Sequence, residues 1–524
     1  MGARALMVGA ATMLSRVLGL VREQIFAALF GVTAFGDAFL IAFRIPNLLR
    51  DLFAEGTLSS AFVPTFAELR RSKGVAAAFA LANVVLGAVL VVVGAITLAG
   101  IFGAPWIVEL IADEQFTGDP ALMDVTVLAT RIMFPFLPLV SLAAVVMGQL
   151  NAEERYGAPA LASSAFNLVA IAGGVLFQFL GWRDATLVVG WSVATLLAGA
   201  AQLCVQLPSL FKAGFSLRPR VDFKDPGLRR VAYLMAPATV GLAAMQVNIL
   251  VNTGFASSIT GAVTALQCAF RLIYLPIGVF GVAVGTVATT RLAQRAAERD
   301  MEGLAATLAH GLRLVAFLTL PCMAGFIAAP DAIVRLLFEH GRFDAAGTTM
   351  TSAALAFYAG GLYCYSALKV AAPAFYALGK TRVPMLGSVL AVAANLALNY
   401  ALFDVLGHRG LALGTAVAAT ANLAVLLLAF RVLVPSVDVA GIVGQFLRAA
   451  AAAAVCGVAA YFAESYVDAA VGRATLGARL LDVGAAVAAG GAAYFAACKL
   501  LRVKELDELV ARARPRRGSG NMSA

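Results

Sequence analysis

Apolar residues fill this chain in runs of twenty or more, separated by short polar stretches. A run such as VVLGAVLVVVGAITLAGIFG at 84–103 holds no turn signal and no alternation of polar and apolar positions. Hydrocarbon offers no partner to a free backbone N–H or C=O. A crossing segment must therefore be a helix of about 20 residues or a strand of a closed barrel. The alternating pattern of an outer-membrane barrel is absent, which leaves helices. The pattern predicts fourteen spans, at 5–30, 33–60, 75–103, 122–150, 158–181, 185–207, 229–256, 261–291, 304–329, 348–377, 383–405, 409–434, 441–463 and 476–500. Several exceed a straight crossing, which implies tilt, kinks or extension into water. The expected fold class is an all-α polytopic membrane protein.

Composition agrees: of 524 residues, 61% are hydrophobic and 13% charged, where a soluble domain carries about 25% charged residues. With the N-terminus inside, twenty-five Lys and Arg fall on the inner side and seven on the outer. That bias predicts both termini in the cytoplasm. The outer connection 109–124 is acidic, with Glu109, Asp113, Glu114, Asp119 and Asp124. The net charge of +10 thus follows membrane sidedness, and no nucleic-acid partner is implied. Arg4 precedes an apolar stretch without a cleavage site, so the first hydrophobic segment is expected to be retained. The six cysteines are scattered, mostly in apolar runs, and form no CxxC pair; they read as small hydrophobes. The three histidines lie far apart, and neither a metal set nor a Walker loop is found, so no cofactor is expected.

The chain carries an internal repeat. Ala42-Phe43-Arg44 recurs as Ala269-Phe270-Arg271, and Arg155-x-x-x-Pro159 resembles Arg382-x-Pro384, at nearly equal offsets. Each offset equals six spans, an even number, so the copies share one orientation and the repeats are parallel about an axis along the membrane normal. This predicts two six-helix lobes, 1–207 and 229–434, related by a pseudo-two-fold. A cytoplasmic connecting loop at 208–228 joins them, followed by a helix pair at 441–500 and a basic cytoplasmic tail at 501–524.

Span 33–60 is unusual for its charges: Asp37, Arg44, Arg50, Asp51 and Glu55, with Pro46 among them. At 100° per residue, Arg44, Asp51 and Glu55 lie at about −20°, about −40° and about 0° from Asp37, on one narrow face. Arg50 falls off that face on a straight helix, and Pro46 can kink it. On the first span Arg16 and Glu23 share a face, with Arg22 to one side. A charge at mid-bilayer costs about 2.5–3.5 kcal/mol, so Arg16, Arg22, Arg44, Arg50 and Arg271 would together cost on the order of 12–17 kcal/mol facing lipid. They must face something polar. A water-filled cavity lined by the first, second and eighth spans satisfies them, with Asp37 and Glu55 holding some without neutralising all. A cationic chamber in a low-dielectric wall favours an anion, and guanidinium forks match phosphate oxygens. These residues point to a transporter of an anionic, phosphate-bearing substrate; purely structural ion pairing, Asp37 with Arg44 and Arg16 with Glu23, is the alternative.

Ser15-Arg16-x-x-Gly19-x-x-Arg22-Glu23, Gly36-Asp37-Ala38-Phe39, Phe43-Arg44-Ile45-Pro46-Asn47-Leu48-Leu49-Arg50, Phe53-Ala54-Glu55-Gly56 and Ala61-Phe62-Val63-Pro64 resemble the MurJ/MviN lipid II flippase family. The match is dense over residues 1–70 and includes Arg271. The resemblance implies the multidrug/oligosaccharidyl-lipid/polysaccharide exporter fold. It implies movement of undecaprenyl-pyrophosphate-linked peptidoglycan precursor from the inner to the outer leaflet of a bacterial cytoplasmic (inner) membrane. By position, Arg16, Arg22, Arg50 and Arg271 take the family's substrate-binding arginines. Asp37 and Glu55 fall on its functional acids, and Arg44 sits where some relatives have lysine. The helix pair 441–500 matches by location the family's groove for the polyprenyl tail.

Some relatives have a sodium site in the second lobe. Asn395, Asn399 and Thr415 resemble part of it, with Asn248 as a further contributor, but the acidic ligands expected there are missing. Neutral amides hold a cation more weakly, and interhelical hydrogen bonding is the competing role for them. Membrane potential, sodium or protons are left as energy sources. Expected partners are lipid II, membrane lipids, and proteins of cell-wall synthesis and division. Competing functions are export of another lipid-linked oligosaccharide, a membrane enzyme acting on prenyl pyrophosphates, and a non-transporting scaffold. The arginine excess counts against drug or cation export. An enzyme would need carboxylates placed for metal or acid–base work.

Overall fold

The computed structural model describes residues 2–53, 57–436 and 438–513, and among them every regular element is helical. Ten helices of the described residues are long and apolar enough to cross a membrane. The other four expected spans also fall on helices: Gly2–Phe30, Ala34–Phe53, Pro226–Ser257, and the pair Ala345–Ala359 and Leu362–Ala377. The count of fourteen is therefore not reached by length and hydropathy alone.

Boundaries differ from expectation where local chemistry interrupts a greasy run. Of the span expected at 33–60, Ala34–Phe53 is helical, residues 54–56 lie outside the described residues, and helix Thr57–Lys73 runs past its expected end to Arg70, Arg71 and Lys73. The span at 122–150 divides at Phe134 and Pro135 into Pro120–Met133 and Phe136–Ala152. The span at 261–291 runs as Ala262–Pro276, one π turn at Ile277–Gly281, and Val282–Ala297. Proline has no N–H to give and its ring crowds the preceding turn, so it favours such breaks. Helix starts are capped by carboxylates: Asp119 accepts from Ala121 and Leu122, Asp225 from Leu228, Asp300 from Gly303 and Asp438 from Gly441. Each satisfies amides that lack an intrahelical partner.

The chain forms two compact units: Met1–Cys268 with Phe338–Gly347, and Ala269–Leu337 with Thr348–Ala524. This division differs from the join expected at 208–228. Helix Pro226–Ser257 packs on Thr57–Lys73, Ala34–Phe53 and Val75–Ile111, and so sits in the first unit. The core of that unit centres on Phe62, Phe66, Leu86, Phe136 and Val145, all buried. A chain of aromatic contacts runs beside it: Phe39 stacks on Phe43 at 5.9 Å, and Phe43 meets Phe136 at 5.6 Å. The second unit has one core around Leu312, Val370, Phe375 and Phe430, and another around Phe317, Ala452, Cys456 and Tyr494. The latter holds the C-terminal pair, Val439–Val471 and Leu476–Leu500, against Met301–Ala328. Alanine lets these helices approach closely, which is how packing holds helices together in lipid.

Candidate substrate site

Phe39, Ile41, Ala42 and Leu48 fix the buried face of Ala34–Phe53. Arg44 and Arg50 lie half-buried on the remainder. The Arg50 guanidinium donates to Asp51 Oδ1 from Nε at 3.2 Å and Nη2 at 2.9 Å. The other Asp51 oxygen accepts from Gln246 Nε2 at 3.1 Å, a tie to Pro226–Ser257 that no pattern in 36–60 announces. On Gly2–Phe30, Arg22 Nη2 donates to Glu23 Oε1 at 2.6 Å, and its guanidinium lies 5.4 Å over the Phe166 ring. Glu23 thus pairs with its neighbour Arg22 where the helical wheel favoured Arg16. Adjacent charges on a helix point apart, yet long side chains close that gap. Arg16 is exposed and, among the described residues, makes no ion pair.

Asp37 departs most from its expected place. It is 1% exposed and does not serve as the counter-charge to Arg44. Its Oδ2 accepts from the Gly261 amide at 2.6 Å, and its Oδ1 from the amide and hydroxyl of Thr264, both at 2.7 Å. Those amides open helix Ala262–Pro276. The physical reason is capping: free amides and the positive end of the helix dipole attract a carboxylate. Glu55 lies outside the described residues.

Beside this cap, segment 338–347 folds back onto the first unit. The Arg342 amide donates to the Ala28 carbonyl at 2.8 Å, and its Nη2 to Asp184 Oδ1 at 2.9 Å. Gly341 and Gly31 both have positive φ, and a Cβ on either would lie 2.4 Å from the carbonyl oxygen of Ala28 or Arg342. Only glycine permits that backbone approach.

In the second unit, Arg271 is exposed on Ala262–Pro276. Its neighbour Phe270 turns into a cluster with Tyr274, Tyr358 and Tyr365. Asn395 and Asn399 are fully buried. Asn399 Nδ2 donates to Asn395 Oδ1 at 3.0 Å, and Asn395 Nδ2 to Thr415 Oγ1 at 3.3 Å. These bonds join Arg382–Leu406 to His408–Leu433. Asn248 is half-buried on Pro226–Ser257 in the first unit. Among the described residues no group of His, Cys, Asp and Glu has the form of a metal site.

On the first unit, then, Arg22 pairs with Glu23 and Arg50 with Asp51, while Asp37 is occupied by amides. A family model described as lipid II flippase MurJ matches residues 26–479. The chain belongs to the lipid II flippase MurJ family. It is 36% identical to the probable lipid II flippase MurJ of Rhizobium meliloti (strain 1021) over 497 residues, covering 93% of this chain and 92% of that protein. It is 35% identical to the lipid II flippase MurJ of Burkholderia cenocepacia over 425 residues, covering 80% and 82%. A solved lipid II flippase MurJ in an inward closed conformation has the same fold, with TM-score 0.77 at 23% identity over 96% of this chain and all of that one. An inward-facing multidrug resistance MATE family transporter of the MOP superfamily gives 0.68 at 17% identity, over 83% and 99%. The ten apolar helices together with this family membership make the chain a multi-pass membrane protein.

Proposed function

We propose that this chain moves lipid II from the inner to the outer leaflet of the cytoplasmic membrane by alternating access, with both termini in the cytoplasm. Arg16, Arg22, Arg44 and Arg50 bind the pyrophosphate. Arg271 is a further contact on the strength of its sequence match. The observation that carries this reading is the excess of guanidinium over carboxylate on Gly2–Phe30 and Ala34–Phe53, with Arg16 exposed and unpaired among the described residues. Guanidinium stays charged in a low-dielectric wall and grips two phosphate oxygens at once. The neighbouring carboxylates keep the arginines oriented while the substrate is absent.

The polyprenyl tail needs an apolar path. A groove of about 500 Å³ between Met301–Ala328 and Val439–Val471 supplies one, walled by Leu320, Ile327, Gly457, Val458, Tyr461 and Phe462. Asn395, Asn399 and Thr415 bond to one another across two helices, so we assign them to helix packing.

The test is an assay of lipid II in the outer leaflet of cells depleted of this protein and complemented with Arg16→Ala, Arg50→Ala or Arg271→Ala. The expected result is normal membrane insertion with export lost. Normal export by all three variants would overturn the assignment.

A further inference from the structure

Residues 213–225, between the short helix Leu207–Lys212 and helix Pro226–Ser257, form a strap held on Val75–Ile111. Phe215 anchors it, buried in the core and edge-on to Phe79 at 5.2 Å. Asn83 then grips it three times. Its Nδ2 donates to the Ser216 carbonyl at 3.1 Å, its Oδ1 accepts from the Arg218 amide at 2.9 Å, and its own carbonyl accepts from the Arg220 amide at 3.0 Å. Bonds to every second residue are the pattern of an extended chain, in which successive side chains leave on opposite faces. Gly87 makes the contact possible: a Cβ there would lie 2.2 Å from the Arg220 carbonyl oxygen. Arg155 fixes the near end, donating to the carbonyls of Ser209 and Lys212.

The side chains this strap presents are an unusual pair of sets. Leu217, Val221 and Phe223 are 43%, 56% and 50% exposed. Interleaved with them are Arg218, Arg220 and Lys224, all exposed and, among the described residues, without an acidic partner. The two acids nearby are engaged: Asp222 accepts from the Lys224 amide, and Asp225 caps Pro226–Ser257. A held backbone therefore exposes apolar groups along one edge and cations without an acidic partner among the described residues along the other. Water leaves the first set unsatisfied and a neutral protein surface leaves the second. An anionic lipid surface answers both, with phosphodiesters at the cations and acyl chains at the apolar groups.

We propose that the 215–224 strap is a docking surface for anionic glycerophospholipid of the inner leaflet. Its placement at the inner leaflet rests on the orientation given under the proposed function; its affinity for anionic lipid does not. Docked lipid holds the loop that joins the two repeats.

The test uses the purified full-length protein in detergent, titrated with dioleoylphosphatidylglycerol or dioleoylphosphatidylcholine and read by native mass spectrometry. The protein should prefer the anionic lipid, and R218Q/R220Q/K224Q should lose at least about tenfold of that preference with an unchanged melting temperature. Arg230→Gln, whose residue pairs with Glu68 at 2.8 Å, should leave it unchanged. Equal binding of phosphatidylglycerol by the triple variant and the unaltered chain would overturn the proposal. So would a triple variant that lost only undecaprenyl pyrophosphate. Arg16→Ala, run alongside, separates the readings: it should lose undecaprenyl pyrophosphate and keep phosphatidylglycerol. In a Cys204→Ser background, Val221→Cys that reacts with an impermeant thiol reagent only from inside would support the inner-leaflet placement, and reaction only from outside would overturn it.

Discussion

Asp37 and Thr264 meet through two hydrogen bonds of 2.7 Å, and they stand 227 positions apart. The same offset separates Ala42-Phe43-Arg44 from Ala269-Phe270-Arg271. The carboxylate therefore binds the residue that lies at the spacing of that short sequence repeat, and it does so as a cap on the start of helix Ala262–Pro276. A second aspartate at position 264 would repel the first, whereas threonine supplies both an amide and a hydroxyl to it.

That pair predicts a graded series. Asp37→Ala leaves the Gly261 and Thr264 amides without an acceptor, at about 1–3 kcal/mol for each buried donor. Thr264→Val keeps the backbone bond and removes only the hydroxyl's, at about 1 kcal/mol. Melting temperature should fall further for Asp37→Ala than for Thr264→Val. Amide exchange at 261–264 should accelerate in the same order. Equal melting of both variants and the unaltered chain would show that the cap adds nothing to stability.

Asp51 restrains Arg50 without burying it. Replacing it with Asn removes the charge that competes with an incoming pyrophosphate, and a part-exposed ion pair is worth about 0.2–1 kcal/mol. Asp51→Asn should bind undecaprenyl pyrophosphate about two- to fivefold more tightly, measured by titration calorimetry. Gln246→Leu should move affinity the other way and by less, because it removes a donor that shares the Asp51 charge and leaves the ion pair. Weaker binding by Asp51→Asn would mean that the carboxylate positions Arg50 for the substrate.

Much of this was legible in the chain itself. Runs of apolar residues mark the helices because lipid leaves the backbone no other arrangement. Arg16, Arg22, Arg44 and Arg50 announce themselves because charge within such runs is costly. A helical wheel, however, sees one helix at a time. It grouped Asp37 with Arg44 because they share a face, while the partner that claims Asp37 is a helix start more than two hundred residues away. It gave Glu23 to Arg16 by angle, where a flexible neighbour reached it first.

The strap depends on one missing methyl group. Gly87→Ala would place a Cβ against the Arg220 carbonyl, and overpacking of this kind costs about 1–3 kcal/mol. Since the strap is held locally, it should lift without unfolding the helix beneath it. Trypsin should then cut after Arg220 much faster, while Arg218, followed by Pro219, stays resistant. An unchanged cleavage rate at Arg220 would show that the strap tolerates the added group.

Arg313 Nε lies 3.2 Å from Glu505 Oε1, at the start of a short helix Lys504–Ala513 where Val503 and Glu505 are buried. His310 approaches Glu508 at 3.7 Å on the same side. Three residues apart on a helix, 310 and 313 face one way, as do 505 and 508, so two contacts align the elements. Glu505→Ala leaves a part-buried guanidinium without its acid, while Arg313→Met with Glu505→Leu replaces both charges by apolar groups. Breaking a buried pair is more costly than exchanging it. The single variant should therefore melt at a lower temperature and lose its C-terminal helix to protease, and the double variant should recover most of both. If the double variant is as labile as the single one, the pair's charge itself holds the helix in place.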